Sequence, residues 1–364
     1  MQLVLDTLFA MENDQIVSVK IKKILKLEGR IFYPQNFLKM KFKLSMLFLL
    51  FLISCKNEKS IKSEEIKIEQ VNAITKLSDS IYLSDVRSLI SSGNYLYFSD
   101  YSKGQVFKVE KENLELIRTI GNQGDGPGEF RGAANLFFRK EKLYIQNDFK
   151  RTIELYNDSL YLKTIKIPNE IADIKFHNDF LATDEEIYLS HSESLSPILV
   201  LDESGVKNRG GRIFDFKNSD KNRSRNNRSF YSFGKLIFAV SDNIPSIDIY
   251  NLDLSFINTI DISSFPIMKE NLNYINTQKE DNNSYYTLIK DGYIFRDKLF
   301  LLMNTYEPYR SNKIIMLRIY DDDIKFMSTI KLDENSLYSA IAVDEEFLFA
   351  FNSRNSSLEK YKFK

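Results

Sequence analysis

Four polar side chains stand where they could act together: Asp100, Asp148, His191 and Asp242. Each falls at or beside the end of a short aromatic and aliphatic run. The runs read LYFSD at 96–100, LYIQND at 143–148, IYLSHS at 187–192 and LIFAVSD at 236–242. Asn304 holds the matching place in LFLLMNT at 299–305. Equivalent residues of a closed repeat share one radius and one height. Such a set could therefore form a single mouth of carboxylate, amide and imidazole groups for a small ligand or a divalent cation. Arg87 and Arg131 stand near the starts of neighbouring strands and could join as anion contacts. Turn chemistry is the competing reading, because Asp, Asn and Ser end strands in many folds.

The elements that would position these side chains are strands. The runs recur about every 45–50 residues, and a sixth copy, FLFAFNS, occupies 347–353. The expected fold is all-β: a six-bladed β-propeller of four-stranded blades. Blade spans read as 85–120, 134–168, 174–202, 230–263, 285–332 and from 337 onward. The last blade runs out after about three strands, and residues 64–83 hold a strand with no blade of its own. Pairing the two would close the ring and remove both free sheet edges. A two-sheet sandwich also uses short strands, but it has no sixfold sequence echo.

Composition agrees with this reading. The chain has 28 Phe, 20 Tyr and no Trp, an aromatic load suited to pleated, half-buried surfaces. Residues 1–54 hold eight Lys/Arg and four Asp/Glu, which leaves 42 basic against 46 acidic residues beyond them. A weakly acidic body lacks the basic footprint of a nucleic-acid binder. One Cys excludes an internal disulfide. Two His residues, His177 and His191, leave little for a histidine metal centre.

Cys55 has a different context. MKFKLSMLFLLFLISC at 40–55 has a basic start, an apolar stretch of about 12 residues and Leu52-Ile53-Ser54 before the cysteine. That stretch is too short to span a hydrocarbon core of about 30 Å. The segment resembles a bacterial lipoprotein signal peptide. It implies a start at Met40, a signal over 40–54, lipidation of Cys55 and a polar tether over 55–63. Residues 1–39 then read as an upstream extension from a misplaced start. The expected location is the bacterial cell envelope, lipid-anchored, on the periplasmic side or the outer-membrane surface.

Residues 121–130, GNQGDGPGEF, carry four of the 13 glycines. That density serves backbone angles with positive φ. No GK[ST] ending and no following helix supports a phosphate cradle. Placed between the first two blades, IGNQGDGPGEF resembles the G-x-x-G-x-GPGEF/Y inter-blade loop of NHL/TolB-like six-bladed propellers, with closest likeness to Bacteroidetes-type propeller lipoproteins. The resemblance covers roughly 64–364 and implies the fold and the envelope location, with no settled activity. The segment reads as a connector, with Phe130 pinning it and Glu129 and Arg131 free to face the channel.

Two charged stretches remain. Residues 207–228 hold eight basic and two acidic residues and read as a solvated loop between blades. Asp321-Asp322-Asp323 lacks the ligand alternation of a calcium loop and reads as a hairpin turn. The expected function is a lipid-anchored binding or protein-interaction module for a small ligand, a glycan or an envelope protein. A channel-mouth hydrolase or lyase with a carboxylate-bound metal is the alternative. The chain is expected to be monomeric, with no cofactor beyond a divalent cation in the channel.

Overall fold

The computed structural model describes residues 64–364 except 159, 170, 172–173, 176, 192–195, 279–285 and 307–309. The signal segment, Cys55 and the tether lie outside the described residues.

Each repeat folds into one antiparallel sheet of four strands in simple up-and-down order. Blade I comprises Val86–Ser92, Tyr95–Asp100, Gln105–Glu110 and Leu116–Ile120. Blade II comprises Ala133–Arg139, Lys142–Asn147, Thr152–Asn157 and Leu160–Lys166. Blade III comprises Leu181–Ala182, Ile187–Ser190, Ile198–Asp202 and Gly205–Gly210. Blade IV comprises Arg228–Phe233, Leu236–Ser241, Ser246–Asn251 and Phe256–Asp261. Blade V comprises Ile289–Phe295, Lys298–Thr305, Ser311–Tyr320 and Asp323–Lys331. Blade VI comprises Tyr338–Val343, Phe347–Asn352 and Ser357–Phe363, completed by Ile68–Ile74 from the other end of the chain. The first strand of each blade touches the first strands of its two neighbours, so these six strands ring a central axis. The molecule is a six-bladed β-propeller.

The second strands explain the sequence signal. A strand sandwiched between two other blades buries both faces and therefore reads as an unbroken apolar run. In Tyr95–Asp100, Leu96 and Phe98 pack with Phe349 and Phe351 of blade VI, while Tyr97 packs with Leu143 and Ile145 of blade II. Fully burying each such side chain is worth roughly 1.5–3 kcal/mol. Outer strands are more open: in Leu160–Lys166, Leu160, Leu162, Lys163 and Lys166 are exposed.

A bulge repeats in all six sheets between the third and fourth strands. The register breaks at Lys108/Val109, Leu155/Tyr156, Val200/Leu201, Ile249/Tyr250, Met316/Leu317 and Gln70/Asn72. An extra residue in the outer strand increases local twist, which a blade needs to turn from the axis to the rim.

The N-terminal arm latches two blades. Glu64–Ile66 adds a parallel fifth strand to blade V, and Ile68–Ile74 then pairs with Ser357–Phe363 of blade VI. Residues 76–82 form a small hairpin rather than more of that strand.

Two expectations need correction. Blade III does not end at 202, because Gly205–Gly210 supplies its fourth strand. The basic run 207–228 is not simply a loop: it continues that strand and then forms helix α1, Ser219–Arg225. Asn218 caps α1 by accepting from the Lys221 amide at 2.9 Å, and Asp220 lies in its first turn. The long spacing before blade V holds helix α2, Pro266–Thr277, with Pro266 in its first turn. Asn271 of α2 donates to the Asn304 carbonyl at 2.6 Å, docking the helix on blade V. Asp321 and Asp322 form the expected hairpin turn.

Candidate functional site

Bulges also mark the first strands, and there they aim side chains inward. In blade I, Val86 pairs with Asp100 and Ser88 with Ser99, leaving Arg87 unpaired in the ladder. In blade V, Ile289 pairs with Met303 and Asp291 with Leu302, leaving Lys290 in the same position. An unpaired bulge residue is a common means of redirecting a side chain.

Hydrogen bonds, most of them from side chains, lace the ring together at every junction. Ser339 donates to the Val86 carbonyl at 2.7 Å, joining blade VI to I. The Leu136 amide donates to Ser88 Oγ at 3.1 Å, joining II to I. Asn135 donates to the Asn178 carbonyl at 2.6 Å, joining II to III. Tyr231 donates to Asp179 Oδ2 at 2.6 Å, joining IV to III. The Leu288 amide donates to the Asp242 carbonyl at 2.7 Å, joining V to IV. The Ile341 amide donates to Asp291 Oδ2 at 2.7 Å, joining VI to V.

The mouth at the start of these strands is polar. The Arg87 guanidinium lies 3.3 Å from the Tyr101 ring centroid and also binds Asp85 at 3.0 Å. Tyr101 donates to Asp148 Oδ2 at 2.6 Å, and its hydroxyl is pushed up to about 12 by burial and by that carboxylate. Phe149, 65% exposed, flanks Tyr101 at 5.9 Å. His177 reaches solvent here. Partial desolvation and the charges of Lys175, Lys290 and Arg87 hold its imidazole below the usual range, against Asp148. Desolvation also lowers Lys175, with Asp242 opposing. Asp242 accepts from Asn178 at 2.7 Å, and burial pushes its carboxyl up to about 6 against that bond and the fields of Arg228 and Lys290.

Beneath this mouth, Asp179 and Asp291 meet. They hydrogen-bond to each other, and burial raises both; the charge of Asp179 pushes Asp291 further up. Two carboxyls this close share a proton and titrate as a pair. Beyond them the channel widens into a cavity of about 300 Å³. Leu89, Ile90, Phe137, Phe138, Tyr293 and Ile294 form much of its wall.

The sequence-derived residues divide. Arg87, Asp148 and Asp242 meet at the mouth. Asp100 does not face it: its oxygens accept from the Ser84 amide at 3.0 Å and from Ser84 and Ser102 hydroxyls at 2.9 Å, holding a turn. His191 is 3% exposed, bridges to Ile174 and places Nδ1 3.3 Å from the Ser196 carbonyl. Both serve turn geometry. Arg131 ion-pairs with Asp125 on the exposed glycine loop. Glu129 folds back instead of facing the channel, accepting from the Gly126 amide at 2.7 Å. Lys175, His177, Asp179, Tyr231, Lys290 and Asp291 had no place in the sequence reading of the site. The usable signal was a polar residue at the start of an innermost strand, VRS at 86–88 and IKD at 289–291. Among the described residues, no three His, Cys, Asp or Glu side chains converge as a metal cage.

No protein-family model matches the chain, and no curated protein matches it. Solved structures do. A member of the DUF4221 family from Bacteroides vulgatus is 13% identical with a TM-score of 0.51, over 83% of this chain and 99% of that one. A Bacteroides fragilis protein assigned as exported is 14% identical with a TM-score of 0.50, over 82% and 94%. A streptogramin B lyase is 10% identical with a TM-score of 0.48, over 82% and 98%. At these identities the likeness is one of fold alone.

Proposed function

We propose that this chain is an exported, lipid-anchored propeller that binds a small ligand in its axial channel. The observation that carries the reading is the form of the channel. Polar groups from five blades meet at one mouth, and a cavity of about 300 Å³ with aromatic and aliphatic side chains along its wall lies behind them. Concave, mostly apolar sites with a few convergent polar groups are what small-molecule binding requires. An enzyme built on a carboxylate-held metal would draw support from three or more converging carboxylates. Among the described residues no group of three converges, and Asp179 and Asp291 meet only as a pair.

Export and anchoring rest on the Lys41–Cys55 segment, with its basic start, short apolar run and Leu52-Ile53-Ser54-Cys55 ending. The Bacteroides fragilis neighbour assigned as exported is consistent with that location. The glycine loop at 121–130 resembles that of NHL/TolB-like propellers. Replacing Cys55 by Ala is expected to move the protein from the membrane pellet to the soluble fraction. Fatty-acid labelling that persists in this variant defeats the anchor.

Ligand binding is tested by melting the protein against a panel of amines, amino acids, sugars and short-chain acids. At least one class is expected to raise the midpoint. Ser232→Trp, which fills the cavity wall, is expected to abolish that rise while leaving the fold intact. If no class shifts the midpoint, or Ser232→Trp leaves the shift unchanged, the channel is not the binding site.

A further inference from the structure

We infer that the cavity below Asp179 and Asp291 is a site for a small aryl or alkyl amine, its ammonium held by the two carboxyls and its apolar body by the aromatic wall. This names the ligand class for the channel-binding reading and rests on it. Three observations converge.

The first is size. A cavity of about 300 Å³ lies at the lower end of small-ligand pockets, and roughly 150 Å³ suffices for a benzene ring. One ring with a short chain fits.

The second is the supply of hydrogen-bond partners. An ionised carboxylate offers about four acceptor sites. The side-chain and amide donors to the pair are Tyr231 on Asp179 at 2.6 Å, Ile341 on Asp291 at 2.7 Å, and the Gly292 amide on Asp291. Acceptor capacity is therefore left over beside an aromatic and aliphatic wall, where a donor gains value from reduced contact with water. A neutral apolar ligand would leave it unused.

The third is the placement of charge. Among the described residues lining the cavity, Arg139 is the cation, and it is held at the rim by Asp184 at 3.4 Å. The two carboxyls outnumber it. Phe137, Phe138 and Tyr293 bring aromatic rings to the wall, and ring faces attract cations. Arg87, Lys175 and Lys290 occupy the opposite mouth, so an ammonium ion enters from the cavity side. When R–NH3+ takes its place between the carboxyls, the proton they share leaves to solvent. Binding is then accompanied by proton release.

The test is calorimetric titration of the purified protein with three probes of one shape: 2-phenylethylamine, 2-phenylethanol and 3-phenylpropionate. The amine is expected to bind at least tenfold more tightly than the alcohol, and the acid not at all. Repeating the titration in buffers of different ionisation heat should show release of up to one proton. Asp291→Asn keeps an acceptor for the Ile341 amide, and should cost at least tenfold in amine affinity. Ser232→Trp leaves the pair untouched and should abolish amine binding. It decides the matter if the Asn variant does not fold. Equal or tighter binding of the alcohol or acid, or amine binding that survives either variant, overturns the amine assignment. If the alcohol or acid binds and Ser232→Trp removes it, the channel-binding reading stands without the amine. If none of the three binds, the amine falls, and the broader melting panel judges the channel.

Discussion

At the residue scale, the site is a set of charges whose protonation is displaced by burial and by one another. Asp242 shows the consequence for stability. Its carboxyl is raised to about 6 in the folded protein, so the fold prefers the protonated form. The stabilisation is complete below the unfolded value, which lies near 4. It is lost as pH rises through about 6. Asp242→Asn is therefore expected to flatten the fall in melting temperature between pH 4 and 6. An unchanged slope would remove Asp242 as its source. Elsewhere in the ring a buried carboxylate is held by four donors. Glu359, 5% exposed, accepts from Tyr338 at 2.9 Å, Ser357 at 2.6 Å and Asn352 at 3.1 Å, and from Tyr361. Glu359→Ala would orphan those donors and should cost about 2–4 kcal/mol. A denaturant titration with an unchanged midpoint would contradict this. Glu154 and Asp248 occupy the same register in blades II and IV, where blade I has Phe107. Three blades thus use one buried polar position, each with different partners.

At the scale of elements, the glycine loop shows how local chemistry fixes a connection between blades. Asn122–Gln123 pairs in parallel with Glu129–Phe130, and the Phe130 ring is fully buried between blades I and II. Gly121 has φ of +68°, and a Cβ there would stand 2.1 Å from the Phe130 ring. Gly121→Ala therefore adds backbone strain to a steric clash, and should destabilise by more than about 1 kcal/mol. Melting that matches the parent protein would show that the loop relaxes freely. Local patterning made this connector readable, and Phe130 pins it as the sequence suggested. Patterning was less informative where an element depends on its neighbours. The Gly205–Gly210 strand carries Lys207 and Arg209, and only pairing with Ile198–Asp202 makes it a strand. Helix α1 is seven residues long, too short to stand alone. Its environment holds it: Asn226 accepts from the Phe214 amide at 2.8 Å and donates to the Phe214 carbonyl at 3.0 Å.

At the scale of the whole molecule, closure is the central event. Glu64–Ile66 and Ile68–Ile74 tie blades V and VI to the other end of the chain. Removing residues 64–74 would bare the edge of Ser357–Phe363 and that of Asp323–Lys331. Exposed edges invite pairing with other chains. The truncated protein should melt lower and elute partly as oligomers in gel filtration. A monomer with the parent midpoint would mean that these strands do not close the ring. The sequence by itself determined the repeat, the strand type and this closure. Each second strand must bury both faces, so its apolar run recurs wherever a blade recurs, and an unfinished last blade needs a partner strand. The axis was decided only in three dimensions. Asp179 and Asp291 lie more than 100 residues apart in the chain and meet because blades III and V both reach the axis. Arg87 and Lys290 turn inward because of bulges, and a bulge leaves no mark in hydrophobic periodicity. Asp100 and Asn147 are the equivalent strand ends, pairing with Val86 and Ala133, and Asp148 stands one place further on: Ser84 and Ser102 hold Asp100 in its turn, while Tyr101 binds Asp148 at the mouth. A repeat places equivalent backbones equivalently, but what each side chain does depends on its neighbours from other blades.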